Sequence, residues 1–312
     1  MNIPDCDFAH SGIRVGFVRI IVEPFEKFAP LLFFYDEYKW HSTLLIRLII
    51  DCHVHLNQYE QFRGIPLEKR LRSLLDSMNN YNVDYSLILT SYKVTSYRPS
   101  TSKVLEITKK YDNLGVVAGF SIDNHDKEDL RNCRRWFRDG LIKAIKLYCG
   151  YEHYYPYDKR YQQVYDLCVE FNAPVMIHTG DTFLKQGKLR FSHPINIDDV
   201  AVDNPDLKIV MCHLGNPWFL DCGEIMYKNK NVYGDISGLF FGNIRQESEK
   251  YLVKRVTELL NYIGREPWCL LYGTDWPISD MGTYLNFLQK IELNTRDRDL
   301  IMFKNAKILF GI

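Results

Sequence analysis

The strongest constraint on this chain is an alternation. From residue 48 onward, short apolar runs and longer amphipathic stretches take turns, eight times over. The runs that read as strands are Leu48–His53, Asp84–Thr90, Gly115–Phe120, Leu141–Leu147, Pro174–Ile177, Leu207–Cys212, Asn231–Ile236 and Cys269–Gly273. Helices are expected between them, over Pro66–Tyr81, Ser102–Tyr111, Lys127–Phe137, Tyr161–Phe171, Ile197–Val202, Phe219–Tyr227 and Gln246–Tyr262. Two more, Thr283–Leu293 and Arg298–Leu309, close the chain. In the first helix Leu67, Leu71, Leu74, Leu75 and Met78 share a face. Pro66 suits its first turn, where a missing N–H costs nothing. Near-continuous apolar strands separated by helices predict a parallel sheet buried on both faces. Eight such units match an α/β fold of the (β/α)8 type, the TIM barrel, for which 312 residues is an ordinary length. An open doubly wound sheet is the rival, but no G-x-G-x-x-G fingerprint supports its nucleotide-binding form.

Residues 1–47 break the pattern. They are rich in aromatics (Phe33, Phe34, Tyr35, Tyr38, Trp40), interrupted by Pro4, Pro24 and Pro30, and have no helical period. They read as an N-terminal extension or barrel cap, leaving 48–312 as the barrel. Zero formal net charge gives no basic excess for a phosphate backbone, so nucleic-acid binding is not expected. No apolar run is long enough to span a bilayer, so no membrane partner is expected. The acidic start at Asp5 and Asp7 is unlike a signal peptide. Eight scattered cysteines without C-x-x-C suggest reduced thiols and a cytoplasmic protein. Apolar helix faces leave room for a homo-oligomer, although no pattern marks an interface.

The first strand ends in His53-Val54-His55. In an extended strand, residues i and i+2 project to one face, so the two imidazoles share a side and can reach one ion. Cys52 and Val54 then face away as core. Other strands end comparably: Lys146 on the fourth, His178 on the fifth, His213 on the sixth, Asp275 after the eighth. Singly, each has an ordinary reading as a boundary histidine, a snorkelling lysine or a helix cap. In a barrel, however, the C-terminal strand ends surround one pocket.

These pieces carry a resemblance. Ile49-Ile50-Asp51-Cys52-His53-Val54-His55-Leu56, Ile145-Lys146-Leu147-Tyr148, Val175-Met176-Ile177-His178-Thr179-Gly180, Cys212-His213-Leu214-Gly215 and Tyr272-Gly273-Thr274-Asp275-Trp276-Pro277 resemble the amidohydrolase superfamily. They are most similar to its amidohydrolase-related branch, which also contains decarboxylases. The ending Asn305-Ala306-Lys307-Ile308-Leu309-Phe310-Gly311 is similar to that branch too.

The resemblance implies an enzyme acting on a small molecule through a divalent metal, most often zinc, held by His53, His55, His178 and Asp275. Imidazole and carboxylate suit that ion, which would bring a bound water's pKa from 15.7 toward ~7. Asp275 would accept the water's proton and return it to the leaving group. His213 would polarise the substrate's carbonyl, with one metal and Lys146 binding an anionic substrate group, or, with Lys146 carboxylated, help hold a second metal. The expected reaction is hydrolysis of an amide, ester or lactone. The alternative is decarboxylation of a small carboxylic acid in the same barrel. Tyr148, Tyr151, His153, Tyr154 and Tyr155, and Asp181, Thr182, Asn216, Trp218, Asp235 and Ser237, are candidate supporting or substrate contacts from the strand-end loops. Arg98 reads as an exposed loop arginine, with carboxylate pairing as its alternative.

Overall fold

Eight parallel strands follow one another around a single sheet in chain order in this computed structural model, which describes residues 48–123, 127–242, 244–264 and 268–312. The extension expected over 1–47 lies outside the described residues. The strands are β1 (Ile50–Val54), β2 (Tyr85–Leu89), β3 (Leu114–Gly119), β4 (Ala144–Leu147), β5 (Val175–His178), β6 (Ile209–Cys212), β7 (Val232–Asp235) and β8 (Leu270–Leu271). Each neighbour pairs in parallel, which requires a crossover, and helices supply it. The expected (β/α)8 architecture is therefore the one observed.

Two apolar layers form. Ile50, Cys52, Leu87, Leu89, Val117, Ala144, Met176, Val210, Cys212 and Leu271 cluster together, one or two from most strands, as the barrel interior. Ala306, Leu309 and Phe310 of the last helix join Ile50 there and close the end where the strands begin. The larger cluster lies between strands and helices and includes Val54, Ile88, Ile145, Ile177 and Met211. Cys52 and Val54 thus fall in different layers. A register shift between Asp51 and Val54 breaks the strict alternation that placed both on one side.

The first and last strands meet at a seam. Cys52 N donates to Tyr272 O (3.0 Å), Asp275 N to His53 O (2.8 Å) and His55 N to Trp276 O (2.7 Å). Asp51 spans it as well: Oδ2 accepts from the Thr274 hydroxyl (2.6 Å), and Oδ1 accepts from Thr274 N and His53 N (3.1 Å each). Burial raises the Asp51 carboxyl to about 7 despite these bonds.

Most boundaries shift by a residue or more from expectation, and three of the shifts have a visible cause. β4 starts at Ala144 rather than Leu141 because Gly140, at φ +70°, ends the preceding helix, and Leu141 N returns to Trp136 O (2.8 Å) as part of that cap. β8 is short because Tyr272 N leaves the sheet for Ile301 O (3.0 Å). That diverted carbonyl sits in a wide turn, Leu300–Lys304, which divides the expected last helix into Thr295–Asp299 and Asn305–Phe310.

Candidate metal centre

His53 is 1% exposed at the end of β1, and its ring lies 5.2 Å from that of His55. Each ring is tied at Nδ1. His55 Nδ1 meets Leu89 O at 2.8 Å, and a carbonyl can only accept, so the proton is on Nδ1 and the lone pair on Nε2. His53 Nδ1 donates to Asp235 Oδ2 at 2.9 Å, leaving Nε2 likewise unprotonated. Burial first, against the pull of Asp235, lowers His53 to about 4, so its ring is neutral at pH 7.

Both Nε2 atoms face Asp275. Its Oδ1 lies 3.2 Å from His55 Nε2 and 3.7 Å from His53 Nε2, and finds no hydrogen-bond partner. Burial alone would raise the Asp275 carboxyl. The His55, His53 and His213 rings outweigh it, and the net direction is down. Two nitrogen lone pairs and a carboxylate oxygen, converging on a buried point, repel unless a cation or proton lies among them. Their atoms all lie within 4.8 Å of one another, and the donor types are those of a divalent transition metal. The residues fit such an ion.

Asp235 stands behind this cluster. Oδ1 accepts from His213 N (3.0 Å), from Ser237 N (3.1 Å) and from the Ser237 hydroxyl. Burial would raise its carboxyl, but His53, His213 and Lys146 hold it well below the usual carboxylate range. His213 Nδ1 donates to Ser237 O at 3.1 Å, which leaves Nε2 unprotonated, and burial lowers the ring's pKa. His213 and Asp275 both have φ of +64°, a strained setting for non-glycine residues. Gly238, at φ +60°, makes room for them: a Cβ there would stand 2.5 Å from His213 Nδ1 and 3.0 Å from Asp275 Oδ2.

His178 lines the same cavity but does not join the His53–His55–Asp275 group. Its Nε2 donates to Asp181 O (2.9 Å), and its ring lies 5.0 Å from that of His213. Burial, His213 and Lys146 push its pKa well below the ordinary value. Lys146 is 1% exposed, with Nζ against Cys212 Sγ and no carboxylate partner among the described residues.

The cavity above these groups measures about 160 Å³. Tyr148 and Tyr151 line it as expected, and so does Arg98, which corrects its reading as an exposed loop residue. Tyr59, Tyr92, Asn57 and Ser91 line it too; sequence reasoning missed them, although all follow β1 or β2. Asp181 and Asn216 line an adjoining recess. His153, Tyr154, Tyr155, Thr182 and Trp218 line neither. His153 binds Gln186 O, Tyr154 binds Asp123, Tyr155 stacks on Tyr157, and Trp218 lies against His193.

A closed parallel barrel with a cation-ready histidine–aspartate cluster at its mouth defines a class of metal-dependent barrel enzymes. Residues 50–312 match the family model described as amidohydrolase, and the chain belongs to that family. Solved structures share the fold. An uncharacterized TIM-barrel protein from Bordetella bronchiseptica matches at TM-score 0.66 and 19% identity, over 85% of this chain and 98% of that one. A probable 2-pyrone-4,6-dicarboxylic acid hydrolase from Acinetobacter baumannii matches at 0.60 and 15%, over 85% and 99%. A 5-carboxyvanillate decarboxylase from Novosphingobium aromaticivorans, with bound manganese, matches at 0.59 and 13%, over 85% and 97%. A comparison with curated proteins finds no match.

Proposed function

We propose that this chain is a metal-dependent hydrolase that directs water onto the carbonyl of a small amide, ester or lactone. The observation that carries this reading is the unpaired Asp275 Oδ1 facing the lone pairs of His53 and His55. In this reading His53, His55 and Asp275 hold one ion, and His178, whose Nε2 is given to Asp181 O, completes the set through Nδ1. Ligand type favours zinc; the manganese of a structure with a similar fold makes that ion the competitor. When bound, the ion supplies Lewis acidity toward the carbonyl and makes water a stronger acid.

The chain's own groups do the rest. Asp275 takes a proton from the attacking water and gives it to the leaving group. Asp235 fixes the His53 tautomer and raises its basicity as a ligand. His213, protonated at Nδ1, presents a bare Nε2 and so accepts a hydrogen bond from the incoming water. The carbonyl-polarising role expected of it needs a proton at Nε2, which that tautomer lacks. Lys146 serves as an uncarboxylated ammonium for an anionic substrate group. Residues 48–312 are the catalytic unit, and the free, buried cysteines among the described residues support a reducing, cytoplasmic setting.

Decarboxylation has an observation of its own. Two cations, Arg98 and Lys146, and four tyrosines line the cavity, an environment suited to an aromatic acid.

The test is metal content on protein purified without added metal, with assays on lactones, amides, esters and aromatic acids. We expect one ion per chain, its loss in His53→Ala and Asp275→Asn, and carbonyl hydrolysis by the loaded enzyme. Unchanged metal content in both variants sinks the ligand assignment. Release of carbon dioxide from aromatic acids, without hydrolysis, replaces the first reading with the second.

A further inference from the structure

Carbonyl hydrolysis gains most from a donor fixed at the carbonyl oxygen, and His213 cannot be that donor. Its proton is on Nδ1 and goes to Ser237 O (3.1 Å). The cavity and its adjoining recess share a wall of six residues: Tyr151, His178, Phe183, His213, Asp275 and Ile278. Phe183 and Ile278 are apolar, and Asp275 is an acceptor. His178 gives its Nε2 proton to Asp181 O (2.9 Å). Tyr151 is left. Its hydroxyl oxygen accepts from Phe183 N at 3.0 Å, and its own proton has no acceptor among the described residues. A phenol that already accepts one hydrogen bond is a stronger donor of the next. Tyr148 shows the contrast, because its hydroxyl is spent on Thr90 O at 2.5 Å.

The backbone holds Tyr151 where that proton can be used. Tyr151 N and Glu152 N both donate to Tyr148 O (3.1 and 2.9 Å), and Gly150 N donates to Glu152 O (3.0 Å), which makes a tight turn. Gly150 takes φ +92°, and a Cβ there would stand 2.8 Å from Ser192 Cβ, so the turn lies hard against Ser192. On one side Glu152 is buried and accepts from the Ser121 hydroxyl. On the other, the Tyr151 ring packs 4.7 Å from that of His178. A donor fixed before the substrate arrives costs no reorganisation when charge develops on the carbonyl oxygen.

We propose that Tyr151 is a catalytic residue, its hydroxyl donating to the substrate's carbonyl oxygen as water adds to the carbon. The π electrons of the carbonyl move onto that oxygen, the water's proton goes to Asp275, and Tyr151 keeps its own proton. When the leaving group departs with the proton from Asp275, the carbonyl re-forms and the hydrogen bond weakens again. The proposal rests on the hydrolase reading above.

The probes are methyl benzoate and methyl phenylphosphonate, a stable tetrahedral anion with the outline of the ester's addition intermediate. Ester hydrolysis and calorimetric phosphonate affinity are measured on metal-loaded wild type and Tyr151→Phe, with metal content and thermal unfolding on the same samples. Tyr151→Phe should lower kcat roughly a hundred- to a thousandfold, the worth of one oxyanion donor, at unchanged KM. It should bind the phosphonate roughly ten- to a hundredfold more weakly, at unchanged metal content and Tm. A structural tyrosine would instead move metal content, Tm or KM. The proposal is overturned if kcat holds, if the loss falls on KM, if wild type does not bind the phosphonate, or if the variant binds it as tightly. If wild type leaves methyl benzoate and the lactone and amide panel intact, the hydrolase reading falls on its own. The phosphonate comparison still decides for or against Tyr151 as the donor.

Discussion

Asp235 and Glu152 are two buried carboxyls with opposite fates. Asp235 stays ionised because imidazoles and backbone amides surround it, and its charge is spent on His53. Asp235→Asn keeps the size and removes the charge. Divalent-ion affinity should fall roughly ten- to a hundredfold, read by chelator competition; an unchanged affinity would mean His53 needs no such support. Glu152 accepts a short bond from the Ser121 hydroxyl and backbone bonds at Asp123 and Ile122, yet burial raises it to about 7 from 4.5. The folded protein therefore holds this proton to near pH 7, while the unfolded chain releases it above about pH 4.5. Its stabilising contribution is complete below that point and is lost as pH rises through 7. Denaturant unfolding of Glu152→Gln should show a flatter decline than wild type over that window; parallel curves would remove Glu152 as the cause. At this scale the sequence was legible for His53, His55 and Asp275, whose spacing and strand-end positions imply one site. It named Arg98 but put it in solvent first, because a loop's path decides whether an arginine faces solvent or a cavity, and no periodicity encodes that path.

The seam between β1 and β8 decides whether the two halves of the ligand cluster meet. Thr274 donates both its amide and its hydroxyl to Asp51, one residue before Asp275. Thr274→Val keeps the shape and deletes the hydroxyl. We expect a loss of about 1–3 kcal/mol in denaturant unfolding, the cost of a buried polar partner left unmade. No loss would mean the strands close without it. The loop after β7 is equally exacting. Gly238→Ala places a methyl carbon against His213 Nδ1 in a left-handed backbone. Both stability and catalytic rate should fall, measured by thermal unfolding and steady-state assay; a normal rate would free His213 from its proposed role. Strand and helix order were readable because each strand is a short apolar run between amphipathic ones. The length of β8 was not, because an amide–carbonyl contact between Tyr272 and the distant Ile301 trims it. Local pattern carries no trace of a partner that far along the chain.

At the scale of the molecule, the ion and the barrel should stabilise each other. An ion that binds only the closed barrel adds stability by mass action, about 2.7 kcal/mol at a hundred times its dissociation constant. Chelated protein should therefore unfold at a lower temperature than protein given zinc or manganese, and His53→Ala should abolish the difference. An equal shift in that variant would place the ion elsewhere. The seam gives this coupling an order in time. Asp51 and Thr274 are 223 residues apart, so His53 and His55 are made long before Asp275 exists to face them. A chain made only as far as β7 lacks Asp275 and has an open sheet edge. Stable ion capture is therefore expected only once the last strand has been made and the barrel has closed.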